Sequence, residues 1–361
     1  MTSRSEPSRS SSPLEVFLVA LRLGLTSFGG PIAHLGYFRS EYVVRRHWVD
    51  ETTYADLVAL CQSLPGPTSS EVGIAIGLLR AGPLGAFLAW LGFTLPSAVL
   101  MVVFAYTLDR LGGALMPVVR VLELVAIVVV AVAVWRMARA LAWDARRGAI
   151  ALAATAMALA WHDQYAQVAI ILLVGLAGWV LLPAVEVPTR SVQTVPIGRR
   201  VAVACGALYL TLLLAFPLAR VTVQSGEIAL VDSFYRSGAF VFGGGHVVLP
   251  LLRGEVVPAG WVTEDEFLAG YGAAQALPGP LFTFAAYLGA VSNGVAGATI
   301  ALIAIFLPAF LVVFAALPSW GALRARAWAQ SALAAVNAAV VGLLLAALIG
   351  LVMSAIASLL R

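Results

Sequence analysis

The same fractured apolar motif occurs twice in this chain. Arg22 to Pro31 reads R-L-G-L-T-S-F-G-G-P, and Arg236 to Gly245 reads R-S-G-A-F-V-F-G-G-G. Arg, Gly, Phe, Gly and Gly recur at one offset. Further on, Glu41 answers Glu255, Trp48 answers Trp261, Tyr54 answers Phe267 and Gln62 answers Gln275. Leu64-Pro65-Gly66-Pro67 then answers Leu277-Pro278-Gly279-Pro280, and Leu95-Pro96 answers Leu307-Pro308. The register drifts by only a residue or two. Self-similarity on this scale marks two homologous halves. The expected layout is a disordered, Ser-rich tail (1–13), a first repeat (14–145), a two-segment insert with an Arg/Pro linker (146–200) and a second repeat (201–361).

Composition decides the solvent. Of 361 residues, 61% are hydrophobic and 11% charged, with mean hydropathy +0.96. So few charges cannot cover a soluble fold of this size, which excludes a soluble enzyme, a nucleic-acid binder and a disordered chain. The fold class is an all-α integral membrane protein. Eleven apolar segments are expected, roughly 14–36, 54–79, 83–108, 117–140, 149–161, 165–183, 201–219, 228–250, 266–290, 293–317 and 331–358. Four contain Gly-Gly or Pro-Gly-Pro and read as broken or re-entrant, which leaves about 10–11 membrane segments. No signal peptide is expected. Every basic residue is Arg, most simply a codon-bias effect. Cys61 and Cys205 sit in apolar stretches and read as packing thiols.

Arg placement sets orientation. Arg136, Arg139, Arg146 and Arg147 form one cluster, and Arg190, Arg199 and Arg200 another. Two segments separate them, so both lie on one face, taken as cytoplasmic together with the N-terminus. The loop 37–53, with Arg45 and Arg46, falls outside if the second segment crosses fully, and inside if the first two segments are re-entrant hairpins. Seven segments separate equivalent points of the halves. An odd number turns the second half upside-down, the inverted-repeat architecture of secondary transporters.

Phe28-Gly29-Gly30, Phe242-Gly243-Gly244 and the two Pro-Gly-Pro motifs interrupt helices inside apolar runs. In hydrocarbon, freed backbone groups persist where they line a cavity or meet a ligand. A helix restarting after a break aims bare N–H groups and its positive dipole end at the gap, which suits an anion. Packing kinks are the alternative. Arg22 and Arg236, each six residues before its Phe-Gly-Gly, are expected to bind an oxyanion through their guanidinium forks. The alternative is that they snorkel or pair with a carboxylate such as Glu15.

The candidate substrate-binding set is Arg22, Ser27, Gly29, Gly30, Gln62, Pro65, Gly66, Pro67, Thr68, Ser69 and Ser70 in the first half. In the second it is Arg236, Gly243, Gly244, Gly245, His246, Gln275, Pro278, Gly279 and Pro280. Thr68, Ser69 and Ser70 supply hydroxyls. Glu71 and His34 are the proton-coupling candidates, with a plain helix N-terminal role open for Glu71. Trp48-Val49-Asp50 and Trp261-Val262-Thr263 read as interfacial helix starts, with Asp50 an N-cap and Thr263 with Glu266 a capping box. No nucleotide loop, metal-ligand pair or nucleophile elbow is present, so no catalytic residue, metal or cofactor is expected.

The pattern R-x-G-x-x-S-F-G-G-P-x-A-H, then W, then Q-S-L-P-G-P, repeated as F-G-G-G-H-V-V-L-P and A-L-P-G-P, resembles the chromate ion transporter family in its long, two-domain form. The resemblance covers nearly the whole chain apart from the tail and insert. It implies efflux of chromate across the inner (cytoplasmic) membrane and chromate resistance, with sulfate as the natural competitor. Other oxyanion carriage, or an anion channel, is the alternative. The proton gradient or the membrane potential is the expected energy source. The expected partners are chromate, sulfate and the lipid bilayer, with no nucleic acid; a homodimer is left open.

Overall fold

The computed structural model describes residues 12–111, 116–161, 166–181, 197–242, 247–319 and 326–359, and no strand occurs among them. The first half begins with α1 (Pro13–Thr26), started by the Ser12 hydroxyl accepting the Glu15 N–H and by Pro13 in the first turn. After the Gly29 turn, α2 (Gly30–Phe38) runs into a π-helical stretch, Arg39–Arg45. Next come α3 (Glu51–Ser63), capped by Asp50, then α4 (Thr68–Leu111) and α5 (Met116–Leu141). The insert contributes α6 (Ala145–Ala160) and α7 (Ala166–Leu181). The second half holds α8 (Arg199–Val223), α9 (Gly226–Ala239), α10 (Val248–Val256) and α11 (Glu264–Ala276), whose Thr263–Glu266 capping box is formed. A 3-10 turn, Leu281–Thr283, leads into α12 (Phe284–Ala316), and α13 (Ala327–Leu359) follows.

Among the described residues, five helices are long and apolar enough to cross a membrane: Thr68–Arg110, Arg120–Leu141, Arg199–Val223, Leu281–Ala316 and Ala329–Met353. The chain is an all-α, multi-pass membrane protein. The segments with Phe28-Gly29-Gly30, Pro65-Gly66-Pro67 and Pro278-Gly279-Pro280 are divided at those motifs, and in the fourth α9 ends at Ala239 and α10 begins at Val248. Their pieces, such as the 14 residues of α1 and the 13 of α3, fall short of the ~20 needed to span.

The two longest helices fold back on themselves. In α4 the reversal is at Ala81-Gly82, where Gly82 has φ 65°, ψ −159°; in α12 it is at Asn293-Gly294, where Gly294 has φ 58°, ψ −153°. This region of backbone space is essentially open only to glycine. Residues eight apart in a straight helix lie about 12 Å apart. Here Gly77 and Gly85 touch through their backbones, as do Gly289 and Gly297. Each long helix is therefore a short limb (68–80, 284–292) packed antiparallel to a long one (83–111, 295–316).

Contacts at one end of the first half show what its broken segments do. The Arg46 guanidinium reaches Glu15 in the first turn of α1, with Nη1–Oε1 2.8 Å. Arg46 and Arg80 both lie over the Trp48 ring, at 5.4 and 5.5 Å. The start of α1, the loop 37–53 and the reversal after Arg80 thus share one end. Both broken segments run away from that end and return to it.

Close backbone contacts through small residues assemble the rest. Gly24 of α1 sits on the Phe93 carbonyl of α4, and Gly238 of α9 on the Ile305 carbonyl of α12, the corresponding position. The long limbs of α4 and α12 meet at the centre, where Trp90 packs edge-on against Phe306 and Phe310, both at 5.6 Å. The insert breaks the correspondence: α6 and α7 pack on α13, and Thr155 donates to the Gly342 carbonyl at 3.0 Å.

Candidate functional site

The breaks of the two halves are joined to each other. The Gly66 N–H donates to the Val241 carbonyl (2.7 Å) and the Gly279 N–H to the Ser27 carbonyl (3.0 Å). Gly66 and Gly279 are equivalent, as are Ser27 and Val241, each just before its Phe-Gly-Gly. The exchange is reciprocal, as a two-fold relation between the halves requires. It seats each Pro-Gly-Pro of one half against the Gly-Gly approach of the other. Neither glycine has room for a side chain. A Cβ on Gly66 would collide with the Glu71 carboxyl and reach Ala309 at 3.4 Å, and one on Gly279 would meet Ser97 Oγ at 2.7 Å. Ala309 and Ser97 are again equivalent, each one residue past the proline of its long limb.

The first half supplies most of the polar surroundings. Ser27, His34, Thr68, Ser69, Ser70, Glu71, Thr94 and Ser97 are all buried. His34 Nδ1 meets Ser69 Oγ at 3.3 Å, and Ser97 donates to the Thr94 carbonyl. Ser27 Oγ, His34 Nε2, Ser70 Oγ, Thr94 Oγ1 and both Glu71 oxygens have no hydrogen-bond partner. Buried polar groups rarely go unpaired, so this cluster is the candidate ligand site. Where the first half has Glu71, Thr94 and Ser97, the second has Phe284, Phe306 and Ala309, all buried and apolar. Thr94 and Ser97 escape a motif search; their only signal is two hydroxyls around Pro96 in an otherwise apolar run.

The other candidates are distributed as follows. Pro67, Pro278 and Pro280 are buried beside the glycines they flank and Pro65 is half-buried, while Gly29 and Gly30 form the left-handed turn into α2 (φ 91° and 77°). Gln62 is exposed on α3, and Gln275 hydrogen-bonds Tyr271. Gly243, Gly244, Gly245 and His246 lie outside the described residues.

The two arginines differ from the expected oxyanion pair. Arg22 is exposed on α1, beside Leu18 and Glu15. Arg236 is buried and held by carboxylates. Its Nε and Nη2 donate to Asp232 (2.8 Å each), Nη2 also donates to Glu255 (3.0 Å), and Nη1 lies 2.9 Å from Glu255. Arg220 joins the same group, at 3.2 Å from Asp232 and 3.3 Å from Glu255. Two guanidiniums face two carboxylates, so the cluster is neutral and Arg236 is committed within it. The reason is local: Asp232 stands one helical turn before Arg236. In the first half Leu18 occupies that place, and Glu41, the counterpart of Glu255, takes Arg45 and Arg46 instead.

The family model described as Chromate transporter matches residues 14–179 and 228–361. A chromate transport protein of Pseudomonas aeruginosa is 29% identical over 320 residues, 86% of this chain and 73% of the relative. A probable chromate transport protein of Synechococcus elongatus is 30% identical over 301 residues, 81% of this chain and 72% of the relative. A chromate transport protein of Cupriavidus metallidurans is 27% identical over 313 residues, 84% of this chain and 73% of the relative. No solved structure matches the chain.

Proposed function

The chain belongs to the chromate transporter family, and on that premise we propose that it is a secondary transporter exporting chromate across the cytoplasmic membrane, thereby conferring chromate resistance. The observation that carries the reading is the reciprocal pair of hydrogen bonds from Gly66 and Gly279, which brings fractured backbone from both halves against unpaired buried hydroxyls. Short helices restarting after such breaks offer N–H groups and a positive dipole end to an anion. Thr68, Ser69 and Ser70 open one of these helices and Ser27 faces the other break, so their hydroxyls are the proposed ligands, held in place by the Gly66 and Gly279 hydrogen bonds. Arg22 and Arg236 are left out of the site, the first for its exposure and the second for its carboxylates.

Alternating access follows from topology. With α1 to the first limb of α4 re-entrant from one face, three long helices (the long limb of α4, then α5 and α8) separate the halves; the shorter α6 and α7 come as a pair and leave the parity unchanged, and an odd count inverts the second half relative to the first. The same count puts Arg45, Arg46, Arg139, Arg146 and Arg199 on one face, the cytoplasmic one by the positive-inside rule. Flux of labelled chromate into proteoliposomes tests the proposal. Saturable uptake carried by the purified chain is expected, with sulfate competing. Linear, non-saturating flux would make it an anion channel, and preference for sulfate would make it a sulfate carrier.

A further inference from the structure

We propose that Glu71 is a proton site coupled to the oxyanion site, so that a dianion and one proton occupy the protein together and cross as a unit with one net negative charge. The inference rests on the oxyanion reading above and adds what travels with the anion. Glu71 is fully buried at the fourth position of the limb that opens with Thr68, its carboxyl against Gly66. Neither oxygen has a hydrogen-bond donor, and no ion pair among the described residues includes it.

The titratable groups facing it are Cys61 of α3 and Tyr209 of α8. Tyr209 spends its hydroxyl proton on the Ala239 carbonyl at 2.9 Å. His34 of α2 reaches the same limb at Ser69 Oγ, and α12 presents Ala309 to Gly66. None of these supplies a positive charge paired to the carboxyl. An ionised Glu71 is already a buried charge without a partner. A dianion at the start of the same limb adds like-charge repulsion against any ionised Glu71. Anion and proton therefore favour each other, and the coupling is reciprocal. Phe284 occupies the corresponding place in the second half, which makes the expected ratio one proton per anion.

The test uses the full chain in proteoliposomes enclosing a pH-sensitive dye, with chromate and then sulfate as the driving gradient. Anion entry should acidify the lumen, and flux should fall about tenfold per pH unit on the alkaline limb, the slope for one proton. Glu71→Gln, which mimics the neutral acid, should still carry the anion, with a flat pH profile and no dye signal. Chromate's own protonation is common to both proteins, so the difference between them reads the carboxyl. Proton movement by Glu71→Gln equal to the unsubstituted protein's overturns the inference, as does anion flux without protons in the unsubstituted protein; neither touches the oxyanion reading. If neither anion moves at all, both readings fall. Should Glu71→Gln not insert, Glu71→Asp decides: proton movement kept with a displaced pH profile supports the site, and an unchanged profile overturns it.

Discussion

Asp232 is the counter-charge that lets α9 carry a buried arginine. Its side chain is fully buried, with both oxygens engaged by Arg236 and one also by Arg220. Asp232→Ala leaves two guanidiniums sharing Glu255, one of them 5% exposed. Breaking a buried pair by removing one partner costs about 3–5 kcal/mol, because the other charge stays behind. Reversible unfolding in mixed micelles, followed by tryptophan fluorescence, should show a loss of that size. Asp232→Leu with Arg236→Met removes both charges and leaves Arg220 with Glu255, so most of the loss should return, since apolar replacement of a whole pair is often neutral. Flux in the double variant then separates two roles. If Arg236 only balances carboxylates, the refolded double variant transports. A variant that folds and carries no anion would restore Arg236 to the substrate site. A loss under ~1 kcal/mol for Asp232→Ala, the worth of an exposed pair, would show that the cluster is solvated and the reasoning wrong.

Other expectations follow from the backbone and the loop. Gly82→Ala and Gly294→Ala force a side chain into a conformation only glycine adopts, and each should cost roughly 1–3 kcal/mol in thermal unfolding. Gly66→Ala and Gly279→Ala should abolish flux, since a methyl strikes Glu71 or Ser97, whereas Gly30→Ala, whose Cβ meets nothing, should cost only about 1 kcal/mol with flux retained. In a background lacking Cys61 and Cys205, Arg45→Cys and Arg139→Cys should be labelled by an impermeant maleimide from the same side, and Arg253→Cys from the opposite one. Burial pushes the Glu41 carboxyl up, but hydrogen bonds from Arg46 and Arg45 outweigh it and hold it below the ordinary glutamate range. Its stabilising contribution is present above that range and lost as pH falls through the lowered value, so hydrogen exchange of residues 39–46 should accelerate only in acid; acceleration near neutrality would contradict the pairing.

The broken helices were legible because Gly and Pro act where they stand. Pro-Gly-Pro lacks two backbone donors and Gly-Gly admits left-handed backbone, and the segments whose motifs are described are divided there. The reversals at Gly82 and Gly294 were not legible: each is a lone glycine in the sequence, and only its φ and ψ show the turn. The asymmetric lining was readable too, since Glu71 stands in the repeat where Phe284 does. For Arg236 the carboxylate alternative is the one the fold displays. The repeat drew attention to Arg22 and Arg236 as a pair, while the carboxylate four residues before Arg236, Asp232, has no counterpart opposite Arg22 and so fell outside the repeat.

By itself the sequence determined the solvent, the helical class, the two-fold repetition and where the helices fracture, all of which depend on local composition and backbone chemistry. Only the tertiary structure decided which fractures meet, because the Gly66–Val241 and Gly279–Ser27 hydrogen bonds link residues in opposite halves of the chain. It also decided which charges are spent. An arginine looks the same in the sequence whether it is exposed, as Arg22 is, or neutralised, as Arg236 is; the difference lies in what folding places within three ångströms of its nitrogens.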